Sequence, residues 1–393
     1  MDRGGLIGVD EALQIVRGVP VRPREETVRL EACLGRVLVR EIQSPVDSPP
    51  FDKSMVDGFA LGASDDSQVL NIVDTVAAGG VPARAVARGE CARIMTGAML
   101  PAGTGRVIRR EYVREEPARI TVLTPETGDN VIRRGGSIRA GAPLLGPRAL
   151  GPQDVGTLAA SGIAEIPVAA VPRVTVLCTG PEIRAAGEPL RDGEIYDSNG
   201  PQLRAQLAAM GCSAVVHSGI QDRPEALEKA VADALGSCDV LLLTGGVSAG
   251  DFDYVPSTLE TLGARILFHR VSVKPGKPAL FAVRGGQEIF GLPGNPVSTF
   301  VIFEVFVKPH LYRRMGLEWA PRIWRATLGA AIRRSAADRT EFLPVRVHRG
   351  LVEPVAYHGS AHLNALAAAD GLVRLEIGVA ELPRGAQVDV RPL

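Results

Sequence analysis

The sequence predicts a multidomain protein of mixed class. It places a parallel α/β sheet towards the middle of the chain, a β-rich unit ahead of it and a small barrel or sandwich behind it. Three observations carry this. From Val171 onward, short apolar runs alternate with helical segments, the rhythm that yields a parallel sheet with right-handed crossovers. From Phe51 to residue 136, and again beyond Gly316, the pattern changes to short strands separated by turn residues. Glycine (44) and proline (29) are plentiful while aromatics make up 4% of the 393 residues, so turns are many and cores aliphatic.

The bounds set by composition are consistent with an enzyme or small-molecule binder. The length suits roughly two to four domains, each with its own core. Lys plus Arg equals Asp plus Glu at 44 each, a zero net charge that argues against a polyanion-binding protein. The five cysteines (Cys33, Cys91, Cys178, Cys212, Cys238) are scattered, odd in number and mostly set in apolar runs. They read as reduced core thiols rather than disulfides or a zinc site. No basic, apolar leader and no run of membrane length is present, so a cytoplasmic location is expected.

In chain order, residues 9–17 have helical spacing, and Leu30 to Ile42 forms a second apolar-periodic segment. The cluster Ser44-Pro45-Val46-Asp47-Ser48-Pro49-Pro50 marks a boundary. Strands are expected at Gly58–Leu61, Val69–Val73, Cys91–Met95, Arg106–Tyr112 and Arg119–Leu123. Gly156–Ile166 has helical spacing and could return to pack on the first helices. The α/β rhythm then gives strands at 173–178, 213–218 and 239–244 with helices near 199–210 and 223–236, Asp222 lying near the cap of the second. Arg322–Leu328, Glu341–Val347, Leu351–Ala356, Leu372–Glu376 and Gln387–Val390 complete the strand set.

Three segments carry chemistry. The apolar run ending in Leu241-Leu242-Leu243 is followed by Thr244-Gly245-Gly246-Val247-Ser248-Ala249-Gly250-Asp251-Phe252-Asp253. Glycines let the backbone approach a ligand, Ser248 offers a hydroxyl to an anion, and the aspartates can hold a cation or a sugar hydroxyl. Ligands collect at this end of the strands in open α/β sheets. Lys274-Pro275-Gly276-Lys277-Pro278 sets two ammonium groups three residues apart on a stiff turn. In Gly291-Leu292-Pro293-Gly294-Asn295-Pro296-Val297-Ser298, Asn295 suits a helix N-cap and Pro296 the first turn, so exposed N–H groups form an anion site. Taken singly, each is also compatible with an ordinary turn.

Together these segments resemble the signatures of the molybdopterin molybdenumtransferases, and the resemblance covers essentially the whole chain. It extends to Lys53-Ser54-Met55-Val56-Asp57-Gly58-Phe59-Ala60, to Arg93-Ile94-Met95-Thr96-Gly97-Ala98, to Asp197-Ser198-Asn199, to Asp338-Arg339-Thr340-Glu341-Phe342 and to His358-Gly359-Ser360-Ala361-His362. It implies an elongated N-terminal domain of two pieces (1–44 and 138–170) and an inserted β-rich domain (45–137). A doubly wound α/β domain of the molybdopterin-binding type (171–317) and a C-terminal small β-barrel (318–393) would follow.

The implied reaction transfers molybdenum from molybdate to adenylylated molybdopterin with release of AMP. A homodimer with composite sites is implied too. Molybdate, a tetrahedral dianion, calls for cations and hydroxyl donors, which Lys274, Lys277 and Ser248 supply. The resemblance adds Thr96, Pro293, Pro296, Arg339 and Ser360 as substrate contacts, and Asp57 among the catalytic groups. Glu182, Asp222, Asp251 and Asp253 are the expected Mg²⁺ ligands, since Mg²⁺ takes few carboxylates plus phosphate oxygens; Glu182, Asp222 and Asp253 are also expected to serve catalysis. The Asp-Ser-Asn segment reads equally as a helix cap and as a pterin contact.

The chain departs from the family pattern in its acids. Gly135-Gly136-Ser137 stands where Gly-Glu-Asp is usual, Pro181 replaces the aspartate of Thr-Gly-Asp-Glu, and Arg106 lies close to a third missing acid. These losses make the site more positive, and they motivate an alternative: a diverged molybdopterin- or adenylate-binding protein without insertase activity.

Overall fold

A computed structural model describes residues 5–247 and 254–393. Three bodies of secondary structure carry most of the chain. In the α/β unit, a six-stranded sheet runs in the order Ala214–Ile220, Val174–Thr179, Val240–Thr244, Gln287–Leu292, Leu280–Arg284, Arg265–His269. The first four strands are parallel, as expected. The last two run antiparallel and hang on the Gln287–Leu292 edge through a tight turn at Gly285 and Gly286.

Both faces of the sheet's centre are covered, so its central strands are largely apolar, and every residue of Val240–Thr244 is buried. Leu241 and Leu243 face the helices Pro224–Leu235 and Val255–Thr261. Val240 and Leu242 face a larger core that takes in Leu203, Val301, Phe303 and Leu311 and reaches Val9, Ala12 and Val16 of the first helix, Val9–Gly18. The helix opening at Pro296 runs to Ile302, continues as a π-turn over Phe303–Val307 and resumes over Lys308–Arg314.

The five strands Thr340–His348, Leu351–Pro354, Trp324–Leu328, Gln387–Pro392 and Gly371–Leu375 close on themselves, because Gly371–Leu375 pairs back to Thr340–His348. This is the small barrel expected at the C-terminus, built around Val345, Val352, Val373 and Val390. A two-residue strand from the α/β unit, Val273–Lys274, joins its edge in parallel, with Lys274 opposite Glu341.

The β-rich unit is a second six-stranded sheet, ordered Arg106–Arg109, Gly58–Leu61, Glu90–Ile94, Val69–Val76, Arg119–Val122, Val113–Glu115. Its five longer strands match the expected ones to within a few residues. Two N-terminal expectations fail. Leu30 to Ile42 is a single 3₁₀ turn (Leu30–Ala32) followed by the short strands Val37–Leu38 and Ile42–Gln43. Gly35 at φ +76 breaks the periodic run. The returning segment is helical only over Pro152–Ala160; Gly162 at φ +73 ends it, and Glu165–Ala169 becomes a strand. That strand pairs with Glu25–Arg29, so the two pieces meet through a ladder as well as through Leu158, which packs in one core with Leu30 and Cys33. All five cysteines are buried free thiols. No helix among the described residues is long and apolar enough to cross a membrane.

Candidate active site

The ends of the parallel strands gather the first group of predicted residues. After Thr244 the chain turns through Gly245 (φ +92) and Gly246 (φ +62). A Cβ on Gly245 would lie 2.5 Å from Thr179 Oγ1, so only glycine lets the turn sit against the neighbouring strand. Ser248, Asp251 and Asp253 lie outside the described residues.

The second glycine turn is fastened to the first. Buried Asn199 donates from Nδ2 to Thr244 Oγ1 (2.8 Å) and to the Gly294 carbonyl (2.7 Å). Thr299 Oγ1 donates to the Pro293 carbonyl at 2.5 Å. Pro293 is therefore buried within this support, and half-buried Pro296 accepts from Gln202 Nε2 at 3.2 Å. Two residues of the Asp-Ser-Asn segment have structural roles. Asp197 accepts the Gly200 N–H at 2.9 Å and the Ser218 hydroxyl at 2.5 Å, while Asn199 bolts the two turns together.

Asn295 occupies the N-cap position, yet its side chain makes no cap bond. It donates instead to Ser360 Oγ at 2.8 Å, and the Val297 N–H donates to the Ser360 carbonyl at 3.0 Å. These bonds carry Ser360 from the C-terminal unit to the mouth of the α/β sheet.

Lys274 crosses the same boundary. Its Nζ lies 2.9 Å from Oε1 of Glu341, a carboxylate that is almost wholly buried. A cavity of ≈ 400 Å³ opens beside this pair, lined by Lys274, Arg334, Glu341, Tyr357, His358 and Gly359 among others. Burial, reinforced by the Glu341 charge, pushes the Tyr357 hydroxyl up to about 12, so it stands protonated as a donor. Arg339 is half-buried; its Nε sits 3.6 Å from Asp338, and its carbonyl accepts from Arg334 Nη1 at 3.0 Å. Lys277 is exposed, and its carbonyl accepts the Val271 N–H at 2.8 Å.

Glu182 and Asp222 follow neighbouring strand ends, joined by the Gly180 N–H to Ile220 carbonyl bond of 2.9 Å. The Glu182 carboxylate folds over Gly180 (φ +134), reaching within 2.6 Å of where a Cβ would stand. The described residues contain no group of three or more His, Cys, Asp or Glu placed to hold a metal ion. Asp57 and Thr96 sit together on the β-rich sheet. The Thr96 N–H and hydroxyl both donate to Asp57 Oδ1 at 2.7 Å. The backbone bond first, then the hydroxyl, hold the Asp57 carboxyl below the usual carboxylate range, leaving an exposed, ionised and oriented acid.

Sequence reasoning passed over Glu341 and the buried role of Asn199, although both lie inside the segments it singled out. Glu341 is the second residue of the strand Thr340–His348, and a lone acid leading into the apolar run Phe342-Leu343-Pro344-Val345 is the signal that could have marked it.

Comparison with known proteins follows the same outline. The description "MoeA N-terminal region (domain I and II)" matches residues 7–162, "Probable molybdopterin binding domain" 175–313, and "MoeA C-terminal region (domain IV)" 325–393. A molybdopterin molybdenumtransferase of Staphylococcus aureus (strain MRSA252) is 33% identical over 410 residues, 98% of this chain and 95% of its own. This chain belongs to the molybdopterin molybdenumtransferase family. A molybdopterin molybdenumtransferase of Staphylococcus epidermidis (strain ATCC 12228 / FDA PCI 1200) is 31% identical over 399 residues, again 98% and 95% of the two chains. Two crystal structures of the molybdopterin biosynthesis MoeA protein of Pyrococcus horikoshii superpose over the full length. One has TM-score 0.80 at 32% identity and covers 99% of each chain; the other has 0.84 at 28% and covers 99% and 100%.

The turn at which the resemblance leads one to expect acids is well anchored. The turn at 133–137 is tied down by two aspartates: Arg134 Nε donates to Asp47 (2.6 Å), the Arg134 N–H to Asp52 (2.7 Å), and Arg133 pairs with Asp52 at 3.1 Å. A Cβ on Gly136 would meet the Arg133 carbonyl at 2.8 Å, so the glutamate that the resemblance leads one to expect here would need a differently shaped turn.

Proposed function

We propose that this protein inserts molybdenum from molybdate into adenylylated molybdopterin, releasing AMP, as an enzyme of molybdenum cofactor biosynthesis. The observation that carries the reading is the convergence of Lys274, Asn295 and Ser360 at the junction of the α/β sheet and the barrel. There the two glycine turns and a cavity bearing Lys274 and Arg334 offer N–H, hydroxyl and ammonium donors to anions.

In this reading Lys274, Lys277, Ser248, Arg339 and Ser360 bind the molybdate oxygens. The turns at Gly245–Gly246 and Pro293–Pro296 take the phosphate and pterin portions. Mg²⁺ fits the donors present: Glu182 and Asp222 stand on adjacent strand ends, and this ion accepts one or two carboxylates alongside phosphate oxygens. Asp251 and Asp253 complete the expected set. When bound, the ion supplies charge stabilisation at the phosphate being cleaved. Asp57 and Thr96, preformed and exposed on the β-rich sheet, suit a contribution to the site of a second subunit in a cytoplasmic homodimer. The division into domains at 1–44 plus 138–170, 45–137, 171–317 and 318–393 assigns these parts.

The test is an insertion assay on purified protein with molybdate, Mg²⁺ and adenylylated molybdopterin, scored by AMP release. The tightly tied, acid-free turn at 133–137 favours a second reading, a binding protein that holds the adenylate without inserting metal. Retained adenylate binding with no AMP release at any Mg²⁺ level would establish that second reading in place of the first.

A further inference from the structure

We propose that Glu341 is a positioning residue of the oxyanion cavity: it fixes the Lys274 ammonium and keeps the bound dianion releasable. The proposal rests on reading that cavity as the molybdate site.

A carboxylate is buried only where cations or donors compensate it. Glu341 is 3% exposed. Its Oε1 lies 2.9 Å from Lys274 Nζ, and its Oε2 lies 3.5 Å from Arg334 Nη1. Oε2 makes no hydrogen bond, because Arg334 directs its donors to three carbonyls, those of Arg339 (3.0 Å), Val379 (2.6 Å) and Glu376. Arg334 is thus held by the backbone whether or not the carboxylate is charged.

The Lys274 ammonium depends on Glu341 for its place. The two residues are register partners in a parallel ladder, and the lysine stem is otherwise half-exposed. An ammonium carries three donors; one goes to Glu341, which leaves two for an anion. Arg333, also on the cavity wall, is committed to Glu381 at 2.9 Å. On the cavity wall itself this leaves two cations, Lys274 and Arg334, against one carboxylate, to which the proposed contacts from Lys277 and Arg339 add. A dianion is drawn in by that net positive charge and repelled by a carboxylate only one side chain away. Glu341 therefore orients the lysine and moderates the hold of the site on its anion.

Glu341→Gln keeps the acceptor for Lys274 and removes the charge. It should bind molybdate roughly tenfold more tightly in low salt, with the gain shrinking as salt screens the cavity. The KM for molybdate should fall with no rise in kcat. A purely structural residue cannot produce this result, since loosening a site does not tighten its ligand. Glu341→Asp keeps the charge but draws the carboxylate back from Lys274, so the lysine loses its orientation while the repulsion stays. It should bind about two- to threefold more weakly than the native chain. Molybdate titration calorimetry on folded protein reads both variants, and unchanged or weaker binding in Glu341→Gln, or unchanged or tighter binding in Glu341→Asp, overturns the proposal. Lys274→Ala separates the two levels. Native affinity in that variant refutes the cavity as the molybdate site, whereas weakened Lys274→Ala beside an unaltered Glu341→Gln refutes the role of Glu341 alone.

Discussion

At the scale of single residues, the two lysines of the Lys-Pro-Gly-Lys-Pro turn turn out to be unequal. On sequence grounds both are exposed turn residues whose loss should spare the fold. The structure keeps that expectation for Lys277 and withdraws it for Lys274, whose partner Glu341 is buried. Each alanine variant should lose about 1.5–3 kcal/mol of molybdate binding, the worth of a charge-assisted contact. Lys274→Ala should also lower the melting temperature, because it leaves a buried carboxylate short of a partner, whereas Lys277→Ala should not. Calorimetric titration paired with thermal melts checks both halves. His310 offers a second test. It is fully buried, 3.4 Å from Glu288, with its ring against the edges of Phe281 and Phe290. Burial, opposed by Glu288, holds its pKa below the ordinary value near 6.5. The unfolded chain therefore binds the extra proton first, so the stability His310 allows is complete above pH ~6.5 and falls as pH drops below it. His310→Phe should flatten the melting-temperature profile between about pH 5 and 7; an unchanged slope would place the pH dependence elsewhere.

Among the elements, legibility followed burial. The central strands of the α/β sheet were plain because both faces are covered and Val174–Thr179 and Val240–Thr244 read as largely apolar runs, whereas the antiparallel strands Leu280–Arg284 and Arg265–His269 were not anticipated. The strands of the β-rich sheet and the barrel were plain because turn residues bracket them. The N-terminal pieces were misread where strands are only two residues long, Val37–Leu38 and Ile42–Gln43, too short to show a period of two. The site was legible as segments and opaque as contacts. The run Leu-Pro-Gly-Asn-Pro announces a helix start, but nothing in it says that Asn295 spends its side chain on Ser360, 65 positions away. The bolt between the glycine turns belongs to this scale. Asn199→Ala removes donors to Thr244 and to the Gly294 carbonyl, at a cost of about 1–3 kcal/mol in denaturant unfolding. The KM for adenylylated molybdopterin should rise with it, as both turns lose their shared support. Asn199→Asp, which keeps the volume but sets a carboxylate oxygen against a carbonyl, should behave no better. A variant that is destabilised but binds substrate normally would reduce Asn199 to a core residue.

For the whole molecule, Asp57 and Thr96 belong to a different sheet from the cavity. Their carboxylate and hydroxyl bond each other on the β-rich sheet, while Lys274 and Ser360 sit where α/β sheet and barrel join. If the partner subunit supplies the acid, Asp57→Ala chains mixed with Lys274→Ala chains should regain activity, since each heterodimer keeps one complete site. Mixtures no more active than their parents would place the whole site within one chain. The strand Val273–Lys274 bears on another matter, the exchange of parts between proteins. By lending its backbone to the barrel at Thr340–Glu341, it makes the α/β unit and the barrel share a seam of main-chain bonds. A chimera that joins this α/β unit to a foreign barrel at the linker after Gly316 would inherit a severed ladder and an ammonium without its carboxylate. A transplant cut so as to carry residues 271–393 together would preserve the seam. In this architecture the heritable unit is the junction, and it ignores the linker.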